Sequence, residues 1–267
     1  MRQNTGYRGR ILGDWELVAA RLLWSVCILS VVVPGFAGCA ASEVNPVAST
    51  AVAAPHVIDL SHVVRQDVPY LPDEPHTHLQ RAADGRLQSL LIGAQTGTFL
   101  QLVVGVDAPV QSIEQLSARD LMLPAVVIDA RDQAQDQPSF RLSVGDILAW
   151  EAENGVIPAG SLVLLVTGWD VRWGSPDAYL YPEAPGRFAA PGFAPEALEL
   201  LRTERGVAGF GIDGPLLHFE PANGFCLLLL NLTSLEQLPP TGITLLIGAL
   251  KVQSSRSAPA RVLALMP

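Results

Sequence analysis

Charge is scarce in this chain, and positive charge is scarcest. Of its 267 residues only 16% are charged while 49% are hydrophobic, a balance that excludes a disordered chain and favours a well-cored domain. Seventeen Lys and Arg stand against 26 Asp and Glu, for a formal net charge of −9. No basic patch of the kind nucleic acid requires is visible. The acidic surface favours solubility and disfavours polyanions and anionic membranes. Cysteine is also scarce, at Cys27, Cys39 and Cys226. The first two lie in or at the end of an N-terminal apolar run. Cys226 is therefore alone in the remaining chain, with no intramolecular disulfide partner. It sits in the apolar run Phe225–Leu230, the setting of a buried small hydrophobe rather than a nucleophile.

The N-terminus reads as an export signal. Arg2, Arg8, Arg10 and Arg21 accompany the apolar run Leu22–Gly38, which falls short of the roughly 20 residues of a membrane span. The run closes in Phe36-Ala37-Gly38-Cys39, which resembles the lipobox of bacterial lipoproteins, with Phe36 where leucine is usual. The resemblance implies cleavage before Cys39, lipidation of that residue and retention in the cell envelope, at the outer membrane or in the periplasm. The alternative is an ordinary signal peptide or an uncleaved anchor. The segment before the run is long, and a start nearer Leu17 or Val18 gives a more usual signal. Residues 1–38 are thus expected to be the signal and 39–56 the lipidated cysteine and a tether rich in Ala, Ser, Val and Pro. Residues 57–267 are expected to form one folded domain.

Within that domain, apolar runs predict buried strands at Leu90–Ile92, Phe99–Val104, Ala125–Ala130, Leu162–Gly168, Val207–Ile212, Phe225–Leu232, Ile243–Val252 and Arg261–Leu265. Ser143 with Asp146 predicts a capped helix over Val144–Asn154, ended by Gly155. Pro195 opens a second over Glu196–Arg205, ended by Gly206. A shorter helix is expected around Ala118–Met122. Strands alternating with few helices predict an α/β domain.

The stretch Gln95-Thr96-Gly97-Thr98-Phe99-Leu100-Gln101 carries the functional question. With its surroundings it resembles the bacterial kynurenine formamidase family, the cyclase family of metal-dependent amide hydrolases, which has His-x-Gly-Thr-His-x-Asp-x-Pro-x-His at this place. The resemblance continues through Val57–His62, Pro124–Asp129, Thr167-Gly168-Trp169, Trp173-Gly174, Tyr179, Gly211-Ile212-Asp213, Asn231–Leu235, Leu238-Pro239, Leu250-Lys251 and Ala258–Arg261. Each piece is weak alone; their order and spacing are not. The family implies a swivelling β/β/α architecture, assembly into homo-oligomers and one or two divalent ions, commonly zinc or manganese.

Such ions need histidine and carboxylate ligands, and most are replaced here. The first family histidine falls on Gln95 and the second on Phe99. The aspartate falls on Gln101, and the last histidine, an acid/base residue in the family, falls on Gly105. His218 keeps the family spacing to the glutamate position twelve residues on, but that position is Leu230. Val106-Asp107-Ala108-Pro109 mimics the family's Asp-containing segment only with a six-residue insertion and leaves Phe99 in place. A rebuilt site would draw on His76 and His78 with Asp73 and Glu74, against the simpler reading of a solvated segment. His62 reads as structural, and His56 has no visible role. No metal, cofactor or catalytic residue is assigned.

Gly209-Phe210-Gly211-Ile212-Asp213-Gly214 fits Gly-x-Gly-x-x-Gly, but Pro215 and the irregular stretch after it deny the helix that dinucleotide binding needs. No Gly-x-Ser-x-Gly elbow occurs. Thr96 and Thr98 lack an identifiable base, and Gly97 turn geometry is the simpler reason for Thr-Gly-Thr. Trp169, Trp173, Tyr179 and Tyr181 either cover the former substrate cleft or pack the core or a subunit contact. Two functions are therefore weighed. One is a non-catalytic lipoprotein that takes a small apolar or aromatic ligand or a protein partner. The other is an amide or cyclic-amide hydrolase, arylformamidase-like, with a rebuilt site. A purely structural envelope subunit is a third.

Overall fold

The computed structural model describes residues 56–135, 137–184, 187–215, 217, 219 and 221–267. The expected signal, Cys39, nearly all of the tether and His218 lie outside the described residues. In chain order the strands are β1 His56–Asp59, β2 His78–Arg81, β3 Leu87–Leu91, β4 Phe99–Val104, β5 Met122–Asp129, β6 Arg141–Leu142 and β7 Leu162–Val166. They continue as β8 Pro182–Ala184, β9 Arg187–Phe188, β10 Gly192–Phe193, β11 Gly209–Ile212, β12 Phe225–Leu230, β13 Ile243–Ala249 and β14 Ser257–Met266. The helices are α1 Arg131–Ala134, α2 Val144–Asn154, α3 Pro176–Leu180 and α4 Pro195–Thr203.

One sheet runs β1-β14-β13-β5-β7-β11-β12-β4, and β4 returns to pair with β14. Seven strands therefore close into a barrel-like sheet, with β1 added at the outside of β14. The three pairings among β5, β7, β11 and β12 are parallel, and the rest of the ring is antiparallel. The parallel strands are continuous apolar runs because both of their faces are buried. Ala125, Val127, Leu162, Leu164, Leu227 and Leu229 share the barrel interior with Leu100, Leu245 and Ala264. Their neighbours in sequence, Val126, Ile128, Val163, Leu165, Phe210, Leu228 and Leu230, pack outward against Ile147 of α2 and Ala197 and Leu201 of α4. The period of two along each strand sorts these two cores.

Both helices form where their signals stand. Ser143 Oγ accepts from Asp146 N, and the Asp146 carboxylate accepts from Ser143 N at 2.8 Å, a reciprocal cap. Gly155 ends α2 at φ 87°. The third expected helix is a 3₁₀ turn, Ala118–Leu121, because Met122 already belongs to β5. One strand expectation is corrected. The segment around Leu90 forms β3, but it is exposed along its whole length rather than buried. Among the described residues it pairs only with β2, and no described element covers Leu87, Leu90 or Leu91.

The glycines of Gly-x-Gly-x-x-Gly have a packing role. A Cβ on Gly211 would lie 2.5 Å from Leu164 Cδ2 and 2.9 Å from Leu232 Cδ1. One on Gly209 would collide with the carbonyl of Leu227. Both positions lie inside the barrel, where β11 must approach its neighbours closely. After β11 comes a turn at Asp213–Pro215 and not a helix.

Candidate functional site

Gly97 adopts φ 70°, and the turn around it delivers β4 to the sheet. Thr96 and Thr98, both buried, hold this turn. Thr96 Oγ1 accepts from Gly93 N at 2.9 Å. Thr98 Oγ1 accepts from His62 N at 3.0 Å and donates to Asn231 O at 2.6 Å. Neither hydroxyl has a base beside it in these bonds; both serve the backbone.

Phe99 is 2% exposed and stands directly across the ladder from Leu230, also 2% exposed. Two positions expected to carry metal ligands therefore form one apolar cross-strand pair. Gln95 lines the same small cavity as Phe99, and its Nε2 donates to Ser257 Oγ at 3.3 Å. Gln101 is half-buried and pairs in register with Leu228 and Ser257. Gly105 lies at the far end of β4, where a Cβ would be 2.8 Å from Ala222 O and the Asn223 backbone. A histidine has no room there. Asp107 is an exposed loop residue whose Oδ1 accepts from Gly224 N at 3.1 Å.

The cavity left between Gln95, Phe99, Tyr179 and Asn231 measures about 10 Å³, at most the room of one water. Tyr70 and Leu71 of the loop after β1 line it from the other side. Trp169, Trp173 and Tyr179 do gather near it, as a packed cluster with Val68 and Ala190. His62 stacks flat on Trp173 at 4.0 Å, and Trp173 meets Tyr179 edge-on at 4.9 Å. Burial, with the nearby Arg65 cation, lowers His62 to about 4. His62 Nε2 and Trp173 Nε1 are buried without a hydrogen-bond partner.

Three polar residues organise this region. Asp213, 1% exposed, receives Thr167 N at 2.9 Å, Gly168 N at 2.6 Å and Trp169 N at 3.2 Å on Oδ2, and Thr167 Oγ1 at 2.5 Å on Oδ1. Gly168 takes φ 74° to aim these amides, which explains Thr167-Gly168-Trp169 as a carboxyl cradle. Burial pushes the Asp213 carboxyl up to about 7, against the opposing pull of its hydrogen bonds. The Tyr179 hydroxyl reaches Asp213 O at 3.0 Å and Asn231 Oδ1 at 2.9 Å. Asn231 Nδ2 donates to Gly97 O at 2.6 Å. Asn231 sits at φ 55°, a conformation Asn tolerates better than most residues. Sequence reasoning placed Asn231 in a family segment without a role. Its position directly after a strand, with a side chain able to bond backbone on both sides, was the available signal.

The fit of a divalent ion follows from these donors. Gln95 and Gln101 supply neutral amides, Phe99 and Leu230 supply nothing, and Gly105 has no side chain. His76 and His78 are exposed, His76 against the Tyr70 ring at 4.0 Å. Among the described residues no three His, Cys, Asp or Glu converge. The residues present do not fit the ion that the family chemistry uses.

The closed mixed barrel, with its helices on the parallel strands, defines a mixed α/β class. Residues 58–217 match the family described as "Putative cyclase", and the chain belongs to that family. It is 32% identical to the isatin hydrolase of Roseibium aggregatum over 200 residues, 67% of this chain and 74% of that protein. Isatin hydrolase A from Ralstonia solanacearum superposes with TM-score 0.71 at 29% identity, covering 80% of this chain and 92% of that one. An isatin hydrolase bound to the product analogue thioisatinate gives TM-score 0.71 at 27% identity, covering 80% and 93%.

Proposed function

We propose that this chain is an exported, lipid-anchored member of the cyclase family that no longer works as a metallohydrolase and has a small-ligand binding role. The observation that carries the reading is the Phe99–Leu230 pair, two buried apolar side chains at expected ligand positions. Family chemistry depends on a metal that lowers the pKa of bound water to about 7, and a dry pair cannot hold one. A packed centre also avoids the repulsion of clustered carboxylates without an ion. Residues 1–38 would be the signal, Cys39 the lipidated residue and 57–267 the family's swivelling β/β/α domain. The uncovered leucines of β3 support self-association.

The test is the metal content of protein purified without chelator or metal-affinity tag, together with turnover of isatin and N-formylkynurenine. Less than about a tenth of an ion per chain and no turnover support the reading, since a working site must retain its ion. Near one ion per chain with turnover overturns it.

A second reading keeps hydrolysis of a cyclic or linear amide. The 32% identity to an isatin hydrolase favours it, as does His218 at the family spacing. Turnover lost in His218→Ala would establish it.

A further inference from the structure

One of the cavities of the domain, of about 200 Å³, lies beside the start of α4. It shares no lining residue with the filled centre. Its walls include Phe188, Phe193, Pro195, Leu198 and Leu217, and among the described residues its one charged lining residue is Arg141. From these observations we infer that it is a binding site for a small aromatic monocarboxylate, with the carboxylate on the Arg141 guanidinium and the ring between Phe193 and Leu198. The inference rests on the reading that the family cleft is filled, so that ligand binding has moved to a different place.

Arg141 is held in place by backbone. β6 and β10 pair in parallel with Arg141 opposite Gly192. Arg141 Nη1 donates to Phe140 O at 2.6 Å, Ala190 O at 2.9 Å and Pro138 O at 3.2 Å. Those bonds fix the guanidinium plane while Nε and Nη2 keep their protons free. No carboxylate among the described residues forms an ion pair with it. An arginine anchored at one nitrogen presents the other two as a fork, the geometry that receives a carboxylate bidentately. Arg141 is itself exposed, so this fork stands at the solvent side of the cavity.

The rest of the wall is apolar and packed. Phe193 is 6% exposed and packs on Phe210 at 5.4 Å, which in turn meets Phe219 at 5.4 Å. Leu198 is anchored in α4, and Pro195 fixes the first turn of that helix. Such a wall selects a flat apolar body over a hydrated one. The combination favours a monocarboxylate with an apolar body over inorganic phosphate, which has no apolar body to set against Phe193 and Leu198.

The experiment is calorimetric titration of the purified full chain with benzoate and with its neutral isostere benzamide, repeated on Arg141→Gln and Arg141→Lys. Benzoate is expected to bind at least tenfold tighter than benzamide. Arg141→Gln should weaken benzoate about ten- to hundredfold, the worth of a charge-assisted pair, and leave benzamide unchanged. Arg141→Lys should fall between. Leu198→Trp, which fills the cavity from the helix side, should abolish both. Should Arg141→Gln fail to fold, the benzoate-to-benzamide ratio and Leu198→Trp decide alone. Equal binding of the two probes, benzoate binding that survives Leu198→Trp, or no heat with millimolar benzoate overturns the inference. A metal-free, inactive protein that ignores benzoate refutes this site alone. Metal-dependent turnover refutes the reading beneath it.

Discussion

Phe99→His tests the filled centre most directly, because it restores one family ligand at a position that is 2% exposed. The phenyl group stands across the ladder from Leu230 and beside the β14 residue Pro259. Removing a buried phenyl outright costs about 3–5 kcal/mol. An imidazole recovers part of that packing but brings a ring N–H with no acceptor on these neighbours, worth about 1–3 kcal/mol against it. The net expectation is a loss of about 3 kcal/mol, which a domain with about 5–15 kcal/mol in hand survives. With a urea m-value of about 2 kcal/mol/M, the midpoint falls by about 1.5 M. Unfolding is followed in urea with and without zinc at about 0.1 mM. Zinc should restore nothing, since a single added imidazole facing Leu230 is far from the three or four ligands that an ion needs. A loss below about 1 kcal/mol would show that the centre is not packed as described. Recovery of more than about 1 kcal/mol with zinc would show that the remaining ligands still converge, and would refute the dry-centre argument.

Gly211→Ala should cost about 1–3 kcal/mol in thermal or urea unfolding by overpacking Leu164 and Leu232; a neutral substitution would remove the packing role of that glycine. The pH dependence carries a paired expectation with opposite signs. His62, lowered to about 4 in the fold, binds its proton more weakly there than in the unfolded chain, so its contribution is lost as pH falls from about 6.5 through 4. Asp213, raised to about 7, binds its proton more tightly in the fold, so its contribution is lost as pH rises from about 4 through 7. The two slopes oppose each other over most of that window, and the intact chain should be nearly flat there with respect to this pair. His62→Gln should expose a stability that falls with rising pH, and Asp213→Asn one that rises with it. Unfolding midpoints at pH 4.5, 5.5 and 6.5 check both, and identical profiles for the two variants would contradict the assignments.

Much of the fold was legible along the chain. The seven barrel strands lie where apolar runs stand, and both long helices begin at their cap residues, because capping and alternation are local. The exposed β3 was misread for a related reason: an apolar run reports that burial is available, and only neighbouring elements supply it. Gly209 and Gly211 show the same limit. Their spacing matches a phosphate loop, yet their cause is the distance from β11 to Leu227 and Leu164, which no local pattern encodes.

Which side-chain ligands are absent could be read from the chain alone, since side-chain identity is a covalent fact: Phe99, Gly105 and Leu230 have no side chain that can coordinate an ion in any fold. Tertiary structure alone decided what occupies those positions. It placed Phe99 opposite Leu230 across residues far apart in the chain, joined Tyr179, Asp213 and Asn231 into one network, and brought Arg141 to one cavity with Phe193 and Leu198. These are long-range pairings fixed by strand register and helix docking, and register is a property of the closed sheet as a whole.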